Sequence, residues 1–207
     1  MTTRNSTRIV AVLAALAAIL FVSGCNNPQP AADGHTDHTH EEEQAPVISG
    51  EPAAFNADDI SFASNMVPHH EQAVELSALV PERSTNPEVI ALAQAIAAAQ
   101  EPEIATMKAF LVQWNENPDT QTGHEGHDMG SMDGMVDAAT MARLESLTGA
   151  EFDTLWLQSM IGHHEGAITM AETEIADGAN VDAKSLAQHI IDEQQAEIAQ
   201  MRTMLGG

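Results

Sequence analysis

The chain has 207 residues, and its 31 acidic against 7 basic side chains give a formal charge of −24 at pH 7. Because phosphate contacts require a basic surface, this charge excludes nucleic acid as a partner and favours cations. The single cysteine excludes an internal disulfide and cysteine-rich zinc sites, whereas ten histidines and eleven methionines provide other metal-binding side chains.

Residues 1–24 have the pattern of an export signal. Two arginines precede an apolar run from Ile9 to Val22, which is too short for a typical membrane-spanning helix. The tetrapeptide Val-Ser-Gly-Cys at 22–25 resembles the bacterial lipobox, which implies cleavage before Cys25 and lipidation of its thiol. The alternative is an ordinary signal peptide with a chance cysteine. We expect export and a lipid anchor that holds the protein to the cell membrane, facing the periplasm or the cell exterior.

Residues 25–54 are predicted to be a disordered tether. Prolines interrupt this segment, and its polar, acidic composition cannot form a core. It contains His35, His38 and His40, followed by three glutamates. These side chains either bind a divalent metal weakly or belong to a solvated spacer.

Residues 55–207 contain an internal repeat at a constant offset of 94 residues. The string Met-Val-Pro-His-His-Glu-Gln-Ala at 66–73 corresponds to Met-Ile-Gly-His-His-Glu-Gly-Ala at 160–167. Between 66–111 and 160–205, 16 of the 46 aligned positions are identical, which makes chance a poor explanation. Duplication of a two-helix unit explains the pattern, because one such unit cannot bury its apolar face alone.

Repeat one (55–115) is predicted to form a helical hairpin. Asn56 opens the first helix as a variant of the capping box. Asn86 and Pro87 open the second helix, with proline at its favoured first position. The apolar residues that follow keep helical spacing.

Repeat two (137–207) is predicted to form the second hairpin, after a short helix at about 137–147. Its two long helices begin near Gly149 and Asp182. No alternating run of β-branched residues indicates a strand. The predicted fold is therefore all-α, a four-helix bundle built from two repeated hairpins.

Both repeats place polar side chains on helix faces that a bundle would bury. Each His-His pair has one histidine on the apolar stripe and one beside it. On the partner helices, glutamine and glutamate recur where leucine would be expected. Since unpartnered burial of such groups is unfavourable, they are expected to face the histidines or a bound ion. The interior candidate ligands are Met66, His69, His70, Glu103, Met107, Met160, His163, His164, Glu197 and Met201.

The alternative to a metal site is that two His–Glu hydrogen-bonded pairs fix the register of the helices. Among metals, thioether and imidazole donors suit Cu(I) and, by the same softness, Ag(I). Di-iron bundles instead use Glu-x-x-His, and none of the helical histidines has an acidic residue three positions before it.

The connector at 116–136 contains a second group of donors in a glycine-rich segment. Glycine supplies flexibility, so several of these side chains could wrap around one ion. The pattern predicts copper capture, and the alternative is a linker whose methionines anchor onto the bundle. The candidate ligands are His124, His127, Met129, Met132 and Met135.

Several strings together resemble the bacterial family catalogued as domain of unknown function 305. They are the two Met-x-x-His-His-Glu-x-Ala strings, Gly-Ala-Glu-Phe-Asp at 149–153, and the two Gln-x-x-Glu-Ile-x-x-Met strings. The resemblance covers about residues 55–205 and implies a ferritin-like helical architecture. Some members are periplasmic copper-binding proteins tied to copper or silver tolerance. The resemblance therefore implies that the methionine and both histidines of each His-His string are ligands, supported by Met107 and Met201.

The sequence thus predicts an extracytoplasmic lipoprotein that binds copper for sequestration, tolerance or transfer. Cu(I) is the favoured ion, with Ag(I) and Cu(II) as further candidates, and no metal is expected to be required for folding. The expected partners are metal ions, the membrane and a copper acceptor or exporter protein. Two alternatives are a ferritin-like metal-dependent oxidase and a metal-free interaction module at the membrane surface.

Overall fold

A computed structural model describes residues 53–118 and 133–206, which contain five α-helices and no strand. The all-helical prediction is confirmed for this part of the chain, and the predicted short helix before the second hairpin is present. The helices are α1 (Ala57–Arg83), α2 (Pro87–Gln113), the short α3 (Ala138–Ser146), α4 (Gly149–Asp177) and α5 (Val181–Gly206).

The four long helices pair as the repeat predicts. Helix α1 packs along α2, and α4 packs along α5, which gives two helical hairpins. The hairpins meet mainly where α1 packs against α4, with a smaller contact between α2 and α5. Within the described ranges, every helix is too short or too polar to cross a membrane.

Asparagine caps start three of the long helices. The Asn56 side chain accepts hydrogen bonds from the backbone N–H groups of Asp58 and Asp59, and the Asp59 carboxylate accepts from the Asn56 N–H. This reciprocal pair is a capping box. At the start of α2, the Asn86 side chain accepts a hydrogen bond from the Glu88 N–H, and at the start of α5 its repeat equivalent Asn180 accepts from the N–H groups of Asp182 and Ala183. The predicted starts at Asn56 and Asn86 are confirmed.

The interior consists of two apolar clusters separated by polar residues. The first cluster contains buried residues from the C-terminal half of α1, and the second contains buried residues from its N-terminal half. In the first cluster, the Trp156 indole N–H donates to the backbone carbonyl of Leu76 at 3.0 Å. On every long helix, the polar residues fall between the stretches that enter the two clusters. We call this set the central polar layer: His69, His70, Gln100, Glu103, His163, His164, Gln194 and Glu197.

The described end of the connector is held against this layer. The Gln72 side-chain amide donates to the backbone carbonyl of Val136 at 2.9 Å and accepts from its N–H at 2.8 Å. Gly134 has a positive φ of 85° and lies against the backbone of α4. A Cβ at Gly166 would overlap the carbonyl of Asp133. Two glycines therefore allow the connector backbone to cross α4 at close range.

Candidate metal centre

Two repeat-equivalent histidines stack at the contact between α1 and α4. The ring centroids of His69 and His163 are 3.7 Å apart with an interplanar angle of 36°, and both side chains are fully buried. The Nε2 atom of His69 lies 3.3 Å from the carbonyl oxygen of Asp133. The Nδ1 atom of His69 and both ring nitrogens of His163 have no hydrogen-bond partner. Because buried polar atoms are normally paired, these nitrogens are candidates for binding an ion.

Both stacked imidazoles are held in the neutral form. Burial, followed by the positive charge that His70 can carry, lowers the pKa of His69 to about 3. Burial, followed by repulsion from His69, places the pKa of His163 well below its ordinary value. Only an unprotonated imidazole nitrogen can ligate a metal. The pair is therefore ready to bind a cation at neutral pH without first losing protons.

The neighbouring histidines each face a glutamate of the partner helix. His70 Nε2 is 3.0 Å from Glu103 Oε2, and His164 Nε2 is 2.8 Å from Glu197 Oε2. These glutamates were predicted to face the histidines or a bound ion, and the structure shows both of them facing histidines. A carboxylate at one ring nitrogen fixes the imidazole's orientation, as second partners of metal-binding histidines do. These are also the contacts that the helix-register alternative requires.

The central polar layer contains more polar atoms than its own hydrogen bonds satisfy. The Nδ1 atoms of His70 and His164 lack partners. The side-chain amides of Gln100 and Gln194, a repeat-equivalent pair, are buried with neither nitrogen nor oxygen paired. Such orphan donors and acceptors fit a layer that binds an ion together with any water it carries.

Buried methionines border the polar layer on both sides. Met66 and Met107 belong to the second apolar cluster, and Met160 and Met201 belong to the first. All four side chains are fully buried. Met66 precedes His69 by one helical turn, and the repeat gives Met160 the same relation to its own histidine. The four thioethers thus lie on the inner faces of the helices that carry the histidines and glutamates.

Of the five candidate ligands in the connector, the structure describes only Met135. His124, His127, Met129 and Met132 lie outside the described residues, as does Cys25. Met135 is described and half-buried, one residue before the Val136 backbone that Gln72 binds.

Sequence reasoning missed a further group of metal-binding side chains. One ligand atom each from Glu103, His189 and Glu193 lie within 4.8 Å of one another. His189 and Glu193 are four residues apart on α5, a spacing that places both on one helix face and could have indicated the group.

A family model matches most of the described sequence. The model described as domain of unknown function (DUF305) matches residues 59–205. The chain belongs to this family. None of the curated proteins matches the chain.

Solved structures of other DUF305 proteins resemble this one closely. One is described as a secreted protein from Streptomyces coelicolor, with 33% identity and a TM-score of 0.66, covering 72% of this chain and 92% of that one. A DUF305 fragment from Deinococcus radiodurans has 31% identity and a TM-score of 0.66, covering 75% of this chain and 99% of that one.

A third similar structure contains a metal. CopM in its Cu(II)-bound form has 31% identity and a TM-score of 0.61, covering 72% of this chain and 95% of that one. CopM has also been solved in Cu(I)-bound, silver-bound and apo forms.

Proposed function

We propose that this DUF305 protein is an extracytoplasmic, lipid-anchored copper-binding protein without catalytic activity. Its four long helices would form a ferritin-like four-helix bundle around the ion. The protein would sequester copper, confer tolerance or pass the ion to an acceptor. The observation that carries the proposal is the buried, neutral pair His69 and His163, with three ring nitrogens that lack hydrogen-bond partners.

The donor chemistry around this pair favours a soft ion. His70 and His164, oriented by their glutamates, would add imidazole nitrogens from the same layer. Met66, Met107, Met160 and Met201 would supply thioethers from either side. Thioether and imidazole together suit Cu(I), and by the same softness Ag(I). Cu(II) would depend more on the imidazoles and the carboxylates.

The similar structures support copper as the ion and export as the route. CopM resembles this chain over most of its length and has been solved with Cu(I), Cu(II) and silver. The Streptomyces relative is described as secreted. These observations agree with the lipobox-like residues at 22–25, from which we propose that Cys25 carries a lipid.

The acidic charge and the connector would deliver the ion. A net charge of −24 concentrates cations near the protein. The connector donors at 124–132 are followed directly by Asp133, whose carbonyl oxygen lies 3.3 Å from His69 Nε2. We propose that these donors capture copper and pass it to the histidine pair.

An anaerobic titration with Cu(I) against a competing chelator tests the proposal. The wild type should hold one ion tightly, and His69→Gln with His163→Gln should weaken that binding at least tenfold. A variant with the donors at 124–132 replaced by glutamine and leucine should keep the tight ion but load it more slowly. If the double-glutamine variant competes as well as the wild type, the proposed site is wrong.

The methionines can be tested separately from the histidines. Met66→Leu with Met160→Leu conserves volume, so the free energy of unfolding should change by less than about 1.5 kcal/mol per site. Cu(I) affinity should nevertheless fall, because two thioethers are lost. The matched control is Met204→Leu, a half-buried methionine near the end of α5. Equal Cu(I) affinities for the two variants would remove the methionines from the ligand set.

A further inference from the structure

Three side chains at the α2–α5 contact are arranged to bind a metal outside the histidine pair. Glu103 comes from α2, and His189 and Glu193 come from α5, with one ligand atom from each within 4.8 Å of the others. His189 Nε2 is 3.4 Å from Glu193 Oε2. Two ligands each about 2.1 Å from a tetrahedral ion are about 3.4 Å apart. These two atoms therefore already have the spacing of metal ligands.

Glu103 contributes an oxygen atom that lacks a partner. Its side chain is 8% exposed, and its Oε2 atom is engaged by His70 at 3.0 Å. Its Oε1 atom is buried without a hydrogen-bond partner. A carboxylate oxygen in this state has lost water without gaining a protein donor, which is unfavourable. A cation bound by Glu103 together with His189 and Glu193 would give this carboxylate a further partner.

The second repeat shows that a buried His–Glu pair forms without a neighbouring histidine and glutamate such as His189 and Glu193. Glu197 faces His164 as Glu103 faces His70. The positions equivalent to His189 and Glu193 are Ala95 and Ala99. The interior pair thus forms equally in both repeats, and the two extra ligands occur beside only one of them.

We propose that Glu103, His189 and Glu193 form a second metal site, for a divalent ion of borderline hardness such as Zn²⁺ or Cu²⁺. One imidazole and two carboxylates suit such ions, whereas Cu(I) and Ag(I) prefer the sulfur that these side chains lack. The side chains of His189 and Glu193 are 62% and 43% exposed, so an ion reaches them from solvent. Three protein ligands leave a fourth position open to water or an exchanging ligand. The site does not require copper at the pair His69 and His163, although Glu103 also contacts His70 of the central polar layer.

Zinc titration of the full chain with ¹⁵N-labelled histidine rings tests the site. Zn²⁺ is the probe because it is diamagnetic and redox-inert, and His189→Gln assigns the His189 ring signals. These signals should shift saturably, and those of His70 should respond as well, because Glu103 joins the two rings. The His69→Gln, His163→Gln variant should keep this response. That outcome separates the second site from the first.

A matched pair of neighbouring acids gives the decisive comparison. Glu193→Gln should weaken zinc binding at His189 at least tenfold, whereas Asp192→Asn, at an exposed acid one residue earlier, should leave it unchanged. Conversely, Ala95→His with Ala99→Glu should create an additional zinc equivalent beside Glu197. The proposal is overturned if zinc leaves the His189 signals unmoved, if the two acid variants bind alike, or if the added pair gains no ion.

Discussion

Glu174 is buried at the end of α4, beside Asp59 at the start of α1. Burial, followed by the interaction with the neighbouring Asp59 carboxylate, raises the pKa of Glu174 to about 8. Burial also acts to raise the pKa of Asp59, but hydrogen bonds led by the Asn180 and Asn56 backbone N–H groups lower it overall. Neither carboxyl oxygen of Glu174 has a hydrogen-bond partner, so an ionised Glu174 would be buried without compensation beside the charge of Asp59, and the protonated form is favoured. Asp59 stays ionised and also caps α1.

This pair predicts a loss of stability as the pH rises. The folded-state pKa of Glu174 is about 8 against an ordinary glutamate pKa of 4.5, so the folded state binds more protons between these limits. Its stabilising contribution is complete below pH 4.5 and lost by about pH 8. Glu174→Gln stays neutral and should avoid that loss, exceeding the wild type by at least about 1 kcal/mol at pH 9.

Urea unfolding at pH 6.5 and pH 9 measures this difference. Glu172→Gln, at an exposed glutamate on the same helix, is the control and should follow the wild type at both values. If Glu174→Gln changes the free energy of unfolding by the same amount at both pH values, Glu174 does not hold a proton in the folded protein at pH 6.5.

The residue types of the central polar layer were predictable, but their partners were only partly so. Glu103 was expected to face the histidines or a bound ion because polar residues recur at buried positions in both repeats, and the structure places it against His70. The stacking of His69 on His163 depends on which helices of the two hairpins touch, and sequence periodicity does not contain that information. The roles of these residues as ligands remain predictions.

At the scale of the elements, the close crossing of the connector over α4 depends on Gly166. A Cβ there would overlap the Asp133 carbonyl, which is backbone and cannot rotate away. Gly162, one turn earlier on α4, has no atom within 4 Å of a built Cβ. The two glycines of one helix are therefore expected to respond oppositely to alanine.

Gly166→Ala should lower the free energy of unfolding by about 1–3 kcal/mol, because the connector must shift. Gly162→Ala should raise it by about 0.5–1 kcal/mol, because alanine is the better helix former and meets nothing. Thermal and urea unfolding of the metal-free protein measure both. If both substitutions stabilise the protein, the connector backbone does not pack tightly against α4 at Gly166.

The sequence predicted the helices better than the connector for a local reason. Asn56 and Asn86 act within their own first turn, and the helical spacing of apolar residues is visible in a short window. The bidentate contact of Gln72 with Val136 joins residues 64 positions apart. Nothing near Gln72 in the sequence indicates that contact.

At the scale of the whole molecule, a metal bound between the two hairpins should stabilise the fold. An ion that binds only the folded protein adds about 2.7 kcal/mol at a free concentration 100 times its Kd. Ag(I) in chloride-free buffer should therefore raise the Tm by roughly 5–10 °C. The rise should be much smaller for His69→Gln with His163→Gln. An identical rise for this variant would place the stabilising silver elsewhere.

His69 and His163 occupy matching positions in the two repeats and touch each other, as only residues beside a two-fold axis do. An ancestor consisting of one hairpin would have assembled the same pair of rings by forming a symmetric homodimer. In one continuous chain, by contrast, the two halves can differ from each other. His189 and Glu193 correspond to Ala95 and Ala99 in the other repeat. A homodimer could not carry these two side chains in one half only, because both of its chains have the same sequence.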